Sequence, residues 1–142
     1  MKSQTFHTQS EEETIALGEK IASELPNKAV VLLIGDLGAG KTTLAKGIAA
    51  GLGAARTDEV SSPTFTLIHE YRNNVYHVDL YRLDRAEQVA TIGLEELLER
   101  ARAVLIEWGE RFPELMPEDR IEIRLRGVGE NSREISITGG PF

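Results

Sequence analysis

The segment 35–42, GDLGAGKT, contains the residues whose types and spacing most directly indicate chemistry. It matches the pattern G-x-x-x-x-G-K-[ST], in which glycines let backbone N–H groups surround phosphate oxygens. Lys41 can reach the β- and γ-phosphates of a nucleotide, and the Thr42 hydroxyl can bind Mg²⁺. The start of a following helix adds the positive end of its dipole. The motif predicts a phosphate site that takes ATP or ADP with Mg²⁺.

Two acidic residues are candidates to hold that metal, since such sites commonly use a carboxylate at the end of a neighbouring strand. Asp79 ends the segment VYHVD, and Glu107 ends VLIE. Only the second segment is an uninterrupted apolar run, as expected of a fully buried strand. His77 in the first segment indicates a sheet edge or a functional cleft. The alternative for each acid is a solvent-facing carboxylate, or one paired with Arg82 or Arg111.

The segment 61–66, SSPTFT, lies between the P-loop helix and the next strand. Nucleotide-dependent switch proteins place a loop here that senses the γ-phosphate and the metal. Ser62 or Thr64 could supply a hydroxyl to that loop. The alternative is a simple turn at a strand start, marked by Pro63.

Three aromatic or imidazole side chains near these segments have ambiguous roles. His69 and His77 flank a predicted hairpin without a second metal-like cluster, so we expect edge or core histidines rather than ligands. Trp108, the single tryptophan, is either a packing residue or part of the wall of a nucleotide cleft.

The elements that must position these residues follow from periodicity. Ser10 and Glu13 form a capping-box pattern at the start of an amphipathic helix over residues 10–25. The apolar run 29–35 predicts a buried strand, and an apolar face predicts a helix over 44–52. Residues 66–71 and 75–80 predict a hairpin turned at 72–74.

The second half of the chain continues this alternation. Residues 85–102 are expected to be helical, with an interruption at Gly93. The strand that ends at Glu107 follows, and then a proline-rich loop. RIEIRLR and REISITG alternate apolar and polar residues and predict a second hairpin. Together these features predict an α/β, P-loop NTPase-like fold: a central, mostly parallel sheet flanked by helices, with added antiparallel hairpin strands.

Composition limits the class of protein. The 142 residues suit a single nucleotide-binding domain over 1–142, with a net charge of −7 and no cysteine. The charge argues against a broad basic face for nucleic acid, and the missing thiols exclude disulfides and thiolate metal sites. No apolar run approaches the ~20 residues of a membrane span, and no secretory signal is apparent. We expect a cytoplasmic protein without a membrane partner.

Several motifs occur together in one order: GDLGAGKTT, SSPTFTLIHEY, YHVDLYRL, IGLEELL and IEWGER. In this series the chain resembles the bacterial TsaE (YjeE) family over most of its length. The resemblance implies a small P-loop ATPase that acts in synthesis of threonylcarbamoyladenosine beside the anticodon of tRNAs. It also implies that the protein binds the TsaB–TsaD complex, which handles the tRNA itself, and that slow ATP hydrolysis supports turnover of that complex.

The resemblance also implies roles for individual residues. The residues that would bind the phosphates are Gly38, Ala39, Gly40, Lys41, Thr42 and Thr43. Thr42 and Glu107 would hold Mg²⁺, with Asp79 a second acid needed for activity and residues 62–64 a switch-like loop. Ser10 and Arg133 would contact the base or sugar. The family pattern often has proline after the tryptophan, whereas Gly109 stands here.

Two other functions are compatible with a P-loop. A small-molecule kinase shares the phosphate site but usually carries a lid with arginines, and no arginine-rich insertion is apparent. A nucleotide-dependent binding module would have negligible catalysis, which fits the lack of an obvious arginine finger or catalytic glutamine. No N-K-x-D guanine-reading motif is present, which favours ATP over GTP.

Overall fold

The computed structural model describes residues 3–142, which form one seven-stranded mixed sheet with helices on both faces. The strands are β1 (Ser3–Thr8), β2 (Ala29–Ile34), β3 (Ile68–Tyr71), β4 (Val75–Asp79), β5 (Ala103–Glu107), β6 (Ile121–Gly127) and β7 (Arg133–Thr138). Their order across the sheet is β1-β7-β6-β2-β5-β4-β3. The pairs β6–β2, β2–β5 and β5–β4 are parallel, so the predicted fold class is confirmed.

Both predicted hairpins are confirmed. β3 and β4 pair antiparallel, and the turn Arg72–Asn74 places Asn73 and Asn74 at φ values of 61° and 60°. Asparagine tolerates this left-handed region better than most residues. β6 and β7 form the second antiparallel pair, and β6 alternates buried and exposed positions as its sequence predicts.

The burial of β4 differs from the prediction. Every residue of this strand is buried, His77 included, so the strand before Glu107 is not the only fully covered one. β4 lies second from the sheet edge, between β5 and the short β3. The polar side chains of β4 are buried because each has a hydrogen-bond partner inside the protein.

Four α-helices flank the sheet: α1 (Glu11–Ser23), α2 (Lys41–Gly51), α3 (Ala86–Thr91) and α4 (Leu94–Arg100). Ser10 caps α1 as predicted, since its side chain accepts a hydrogen bond from the backbone N–H of Glu13. Gly93, at φ 77°, separates α3 from α4 at the predicted interruption. None of the helices within residues 3–142 has the length and apolar character that a membrane crossing requires.

Strand β1 was absent from the sequence-based expectations. It pairs antiparallel with β7 from Ser3 opposite Thr138 to Thr8 opposite Arg133. Most of its residues are exposed, so the strand shows no strong apolar alternation. Its place at the sheet edge explains this pattern, because an edge strand covers little core.

The core has two layers, one on each face of the sheet. Along β2, Val31 and Leu33 join the layer under α1 and α2, whereas Val30 and Leu32 join the layer under α3 and α4. Alternate side chains of a strand point to opposite faces, so a strand covered on both sides must be apolar throughout. This arrangement places the ends of β4 and β5 beside the start of α2.

Candidate nucleotide site

A cleft of about 470 Å³ lies at the carboxyl ends of the parallel strands and the start of α2. Ligand sites of open α/β sheets are typically found at this edge. Most of the predicted site residues line it: Gly38, Gly40, Lys41, Thr42, Thr43, Asp79, Glu107 and Arg133. Ser62 and Thr64 of the switch-like loop line it as well. The fold therefore brings P-loop, acids and loop together in one place.

The P-loop connects β2 to α2 through two glycines with left-handed backbones. Gly38 has φ 81° and Gly40, the residue before α2, has φ 102°. A side chain at position 40 would also meet Arg133, whose Nε lies 3.1 Å from the place of a Cβ atom. Arg133 reaches from β7 across the sheet end and donates a long hydrogen bond (3.4 Å) to the Gly38 carbonyl. Arg133 thus lies against the loop rather than in solvent alone.

Lys41 is 5% exposed and folds back over its own loop. Its Nζ donates to the Gly35 carbonyl at 2.7 Å and lies 3.8 Å from the centre of the Trp108 ring. Burial lowers the pKa of the Lys41 ammonium below its usual value, and the negative charges of Glu107 and Glu110 act against this shift. A phosphate group would supply a stronger partner than either the carbonyl or the ring.

Asp79 and Glu107 lie side by side, because β4 and β5 pair in parallel with these two residues in register. Both are buried, at 2% and 3% exposure. Asp79 Oδ2 accepts hydrogen bonds from Ser62 Oγ (3.1 Å) and Thr64 Oγ1 (3.0 Å). Asp79 Oδ1 accepts one from the Tyr81 backbone N–H at 2.8 Å. Asp79 therefore anchors the loop over residues 62–64 to the sheet.

Glu107 has a different partner. Its Oε2 lies 2.6 Å from Nε2 of His77, which is completely buried. On the other side of the imidazole, Nδ1 lies 3.1 Å from the Tyr71 hydroxyl. His77 is a core residue, in line with its sequence-based interpretation, but it also contacts a predicted site residue. The period of two along β4 places His77 and Asp79 on one face, but the contact with Glu107 also requires that β5 lie beside β4.

Trp108 lines the cleft, and its ring centre lies 5.1 Å from that of Tyr81. Its backbone has φ 66°, a costly region for a bulky residue. The chain then turns into a 3-10 helix over Gly109–Arg111. A Cβ at Gly109 would lie 2.9 Å from side-chain atoms of Ile106 and Met116, so this turn packs tightly on the core.

Two predicted site residues, Ala39 and Ser10, do not line the cleft. The Ala39 side chain is buried in the core, and its N–H donates to the Asp36 carbonyl. Ser10 caps α1, while its neighbour Glu11 lines the cleft. A base or sugar contact at Ser10 stays a prediction. Sequence reasoning did not select Glu11 or Tyr81. Glu11 belongs to no recognised motif, and Tyr81 lies within YHVDLYRL but had no role assigned to it.

The donor atoms of the cleft suit Mg²⁺. A hydroxyl at Thr42 and carboxylates at Glu107 and Asp79 are hard oxygen ligands, which this ion prefers. No group of three or more histidine, cysteine, aspartate or glutamate side chains that could hold a metal was found in residues 3–142. Mg²⁺ usually keeps several waters and binds through one or two carboxylates plus substrate phosphates. The side chains present therefore fit a metal that arrives with a nucleotide.

Known proteins are similar to this chain in sequence and in fold. The sequence model of the family "Threonylcarbamoyl adenosine biosynthesis protein TsaE" matches residues 8–135. A Bacillus subtilis protein named tRNA threonylcarbamoyladenosine biosynthesis protein TsaE is 40% identical over 141 residues, covering 97% of this chain and 87% of that protein. A protein of the same name from Treponema pallidum is 39% identical over 132 residues, covering 92% of this chain and 96% of that protein.

The structural comparison agrees with these matches. The crystal structure of YdiB from Bacillus subtilis superposes with a TM-score of 0.79 and 35% sequence identity, over 97% of this chain and 86% of that one. The matched region includes the P-loop, both acids and Arg133. On this evidence the chain belongs to the TsaE family of threonylcarbamoyl adenosine biosynthesis proteins.

Proposed function

We propose that this chain is a Mg²⁺-dependent ATPase that serves the threonylcarbamoyladenosine modification of tRNA by binding the TsaB–TsaD complex. Its family acts in the biosynthesis of threonylcarbamoyladenosine. The ATPase activity is inferred from the chemistry of the cleft, and the partners are inferred from the resemblance to TsaE.

One observation carries the proposal: a P-loop lysine and two buried carboxylates meet in a single cleft. Lys41, Asp79 and Glu107 line it together with the Thr42 hydroxyl. Burying two neighbouring carboxylates costs free energy unless cations or donors compensate. Hydrogen bonds within the protein compensate part of this cost. Both acids end adjacent strands and line the cleft, where a nucleotide-bound cation would meet them.

Each group has a definable task in ATP hydrolysis. The N–H groups of the loop and of the first turn of α2 bind phosphate oxygens, and the Lys41 ammonium neutralises their charge. Thr42 and Glu107 would hold Mg²⁺, which when bound stabilises charge that develops on the phosphates. Asp79 keeps residues 62–64 beside the phosphate end of the cleft through its two hydroxyl hydrogen bonds.

Slow hydrolysis by the isolated chain is the expected behaviour. Among residues 3–142, the lining of the cleft includes one arginine, Arg133, and no glutamine to orient a water molecule. P-loop enzymes that lack such groups turn over slowly until a partner completes the site. A partner-dependent ATPase is therefore consistent with this lining, and a kinase with an arginine clamp is less so.

Reconstitution tests the proposal directly. The chain is combined with the TsaB–TsaD pair, tRNA, ATP and an activated donor of the threonylcarbamoyl group, and modified tRNA is counted over many turnovers. We expect multiple turnover only when the chain is present, and loss of the effect with Lys41→Ala. Lys46→Ala, a change in the same helix outside the cleft lining, is the matched control and should retain activity.

The same assay separates the alternatives. ATP consumption that requires a small acceptor, with no response to TsaB–TsaD, would identify a kinase. Full support of modification by a non-hydrolysable ATP analogue would identify a nucleotide-dependent binding module. Either result would overturn the proposed ATPase role.

A further inference from the structure

His77 is a buried, titratable side chain that the proposed function does not use. It lies on β4 at 0% exposure, two residues before Asp79. Its two ring nitrogens contact Glu107 Oε2 at 2.6 Å and the Tyr71 hydroxyl at 3.1 Å. The result is a row of three side chains that runs from the outer hairpin strand β3 to the cleft.

We propose that His77 is a positioning residue, whose Nε2–H bond to Oε2 holds the Glu107 carboxylate in place for Mg²⁺–nucleotide binding. This inference rests on the proposed function, since it assigns to Glu107 the metal side of the cleft. His77 would not touch the metal or the nucleotide. It would act only through the carboxylate.

Tyr71 makes a second contact with the imidazole. Its hydroxyl lies 3.1 Å from Nδ1 of His77, on the side of the ring away from Glu107. Burial, and then the negative charge of Glu107, raise the pKa of the Tyr71 phenol to about 12, so the hydroxyl keeps its proton at neutral pH. The two contacts together fix the orientation of the ring, and with it the direction in which Nε2 faces Oε2.

The bond to His77 restrains the Glu107 side chain in the folded protein. Less conformational entropy of that side chain is therefore lost when Mg²⁺ and a nucleotide bind. Oε2 is occupied by this bond, and Oε1 stays available to a cation. Residues behind a metal ligand commonly have this orienting role.

The competing explanation is purely structural: the histidine and the acid would satisfy each other in the core. A structural pair would affect stability, and a positioning pair would also change the metal dependence of binding. Thermal unfolding and metal titration therefore distinguish the two explanations.

The experiment measures ADP binding by titration calorimetry over a series of Mg²⁺ concentrations and in EDTA. Four variants are compared with the wild type. His77→Met removes the donor at similar bulk, whereas His77→Gln places an amide N–H near the position of Nε2. Tyr71→Phe removes only the hydroxyl. His69→Met is the matched control, because His69 lies beside His77 with ring centres 6.4 Å apart and does not line the cleft.

We expect His77→Met to shift the midpoint of the Mg²⁺ titration to about tenfold higher concentration, the lower end of what such orienting residues contribute. ADP affinity in EDTA should stay within about twofold of wild type. His77→Gln should recover most of the shift, Tyr71→Phe should produce a smaller shift of the same sign, and His69→Met should produce none.

An unchanged midpoint in folded His77→Met would overturn the positioning role while leaving the magnesium site intact. If His77→Met does not fold, Tyr71→Phe decides, and an unshifted midpoint there overturns the inference. A wild-type chain whose ADP binding ignores Mg²⁺ would instead overturn the proposed function itself. The two failures are therefore distinguishable.

Discussion

The Lys41 ammonium contacts its own loop and the Trp108 ring. The Gly35 carbonyl and the Trp108 ring occupy its ammonium, at 2.7 Å and 3.8 Å. Cation–π contacts of this kind contribute about 0.5–2 kcal/mol. A nucleotide phosphate must compete with both contacts, so binding should draw the ammonium away from the ring.

Trp108 should report this competition. Because it is the only tryptophan, we expect its emission to change in intensity or wavelength when ADP or ATP is added. Lys41→Ala should weaken nucleotide binding at least about tenfold, as loss of a charge-assisted hydrogen bond implies, and should abolish the response at the same nucleotide concentration. A fluorescence titration measures both effects, with Lys46→Ala as the control that keeps them. If Trp108 emission in the wild-type protein did not change at a saturating nucleotide concentration, the placement of Trp108 beside the nucleotide would be wrong.

Substitution of Asp79 and substitution of Glu107 should have different effects, although the two residues lie opposite each other on paired strands. Asp79→Ala removes the acceptor of the Ser62 and Thr64 hydroxyls. Hydrogen bonds to a charged group contribute about 1.5–3 kcal/mol each, so amide hydrogen exchange over residues 61–66 should quicken about tenfold or more. Glu107→Ala should leave that segment unchanged and raise the Mg²⁺ requirement for ADP binding. Equal rates of amide hydrogen exchange over residues 61–66 in the two variants would contradict these separate roles of Asp79 and Glu107.

Tyr71 should make the protein sensitive to alkaline pH. Its phenol has an ordinary pKa of 10.0 that rises to about 12 in the fold. Between these values the folded chain keeps a proton that the unfolded chain loses, so stability must fall as pH rises through this window. Urea unfolding from pH 9 to 12 should show the fall, and Tyr71→Phe should flatten it. Tyr81→Phe, at a residue 41% exposed, should retain the wild-type slope.

The sequence predicts single residues well where a motif dictates them. Lys41 and Thr42 follow from the P-loop pattern, and the competition between Asp79 and Glu107 follows from their positions at strand ends. The contact between His77 and Glu107 needs the pairing of β4 with β5. Periodicity within one strand does not fix which strand lies beside it, so this partner emerges only from the fold.

Among the elements, α1 and α2 approach unusually closely. Gly18 and Gly47 face each other where the helices cross, and a Cβ on Gly18 would lie 2.7 Å from the Leu44 carbonyl oxygen. A Cβ on Gly47 would collide with the Ile15 carbonyl oxygen. Since α2 begins at Lys41, this packing fixes the position of the helix whose first residues are proposed to bind phosphate.

Gly47→Ala should therefore destabilise the protein although alanine favours helices. The added methyl group meets backbone rather than a flexible side chain, and overpacking of this kind costs about 1–3 kcal/mol. Denaturant unfolding measures the loss. Gly127→Ala, where the nearest atom lies 3.9 Å away, is the matched control and should change stability little. A stabilised Gly47→Ala would mean that the two helices can separate without cost.

Elements with strong local patterns were predictable, and those without were not. The hairpin turn at Asn73 and Asn74 and the interruption at Gly93 follow from residues suited to positive φ. β1 is exposed along most of its length and takes its conformation from pairing with β7. Edge strands that depend on a distant partner have little local signal in the sequence.

For the whole molecule, net charge is the property that bears most on function. At −7 the chain should repel a phosphate backbone. We expect no shift of tRNA by the chain alone in gel electrophoresis at about 0.15 M salt, up to micromolar protein. Addition of TsaB–TsaD should bring the chain and the tRNA into one complex. Tight binding of tRNA by the isolated chain would contradict the proposed indirect contact.

The pairing of β1 with β7 has a practical consequence for labelling. Ser3 lies opposite Thr138, whereas Thr8 lies opposite Arg133 at the end of the sheet that holds the cleft. Ser3 and Thr138 thus lie together at the far end of β1 and of its neighbour β7. A dye, an affinity handle or a surface tether attached near Ser3, on the edge strand, would leave the cleft open.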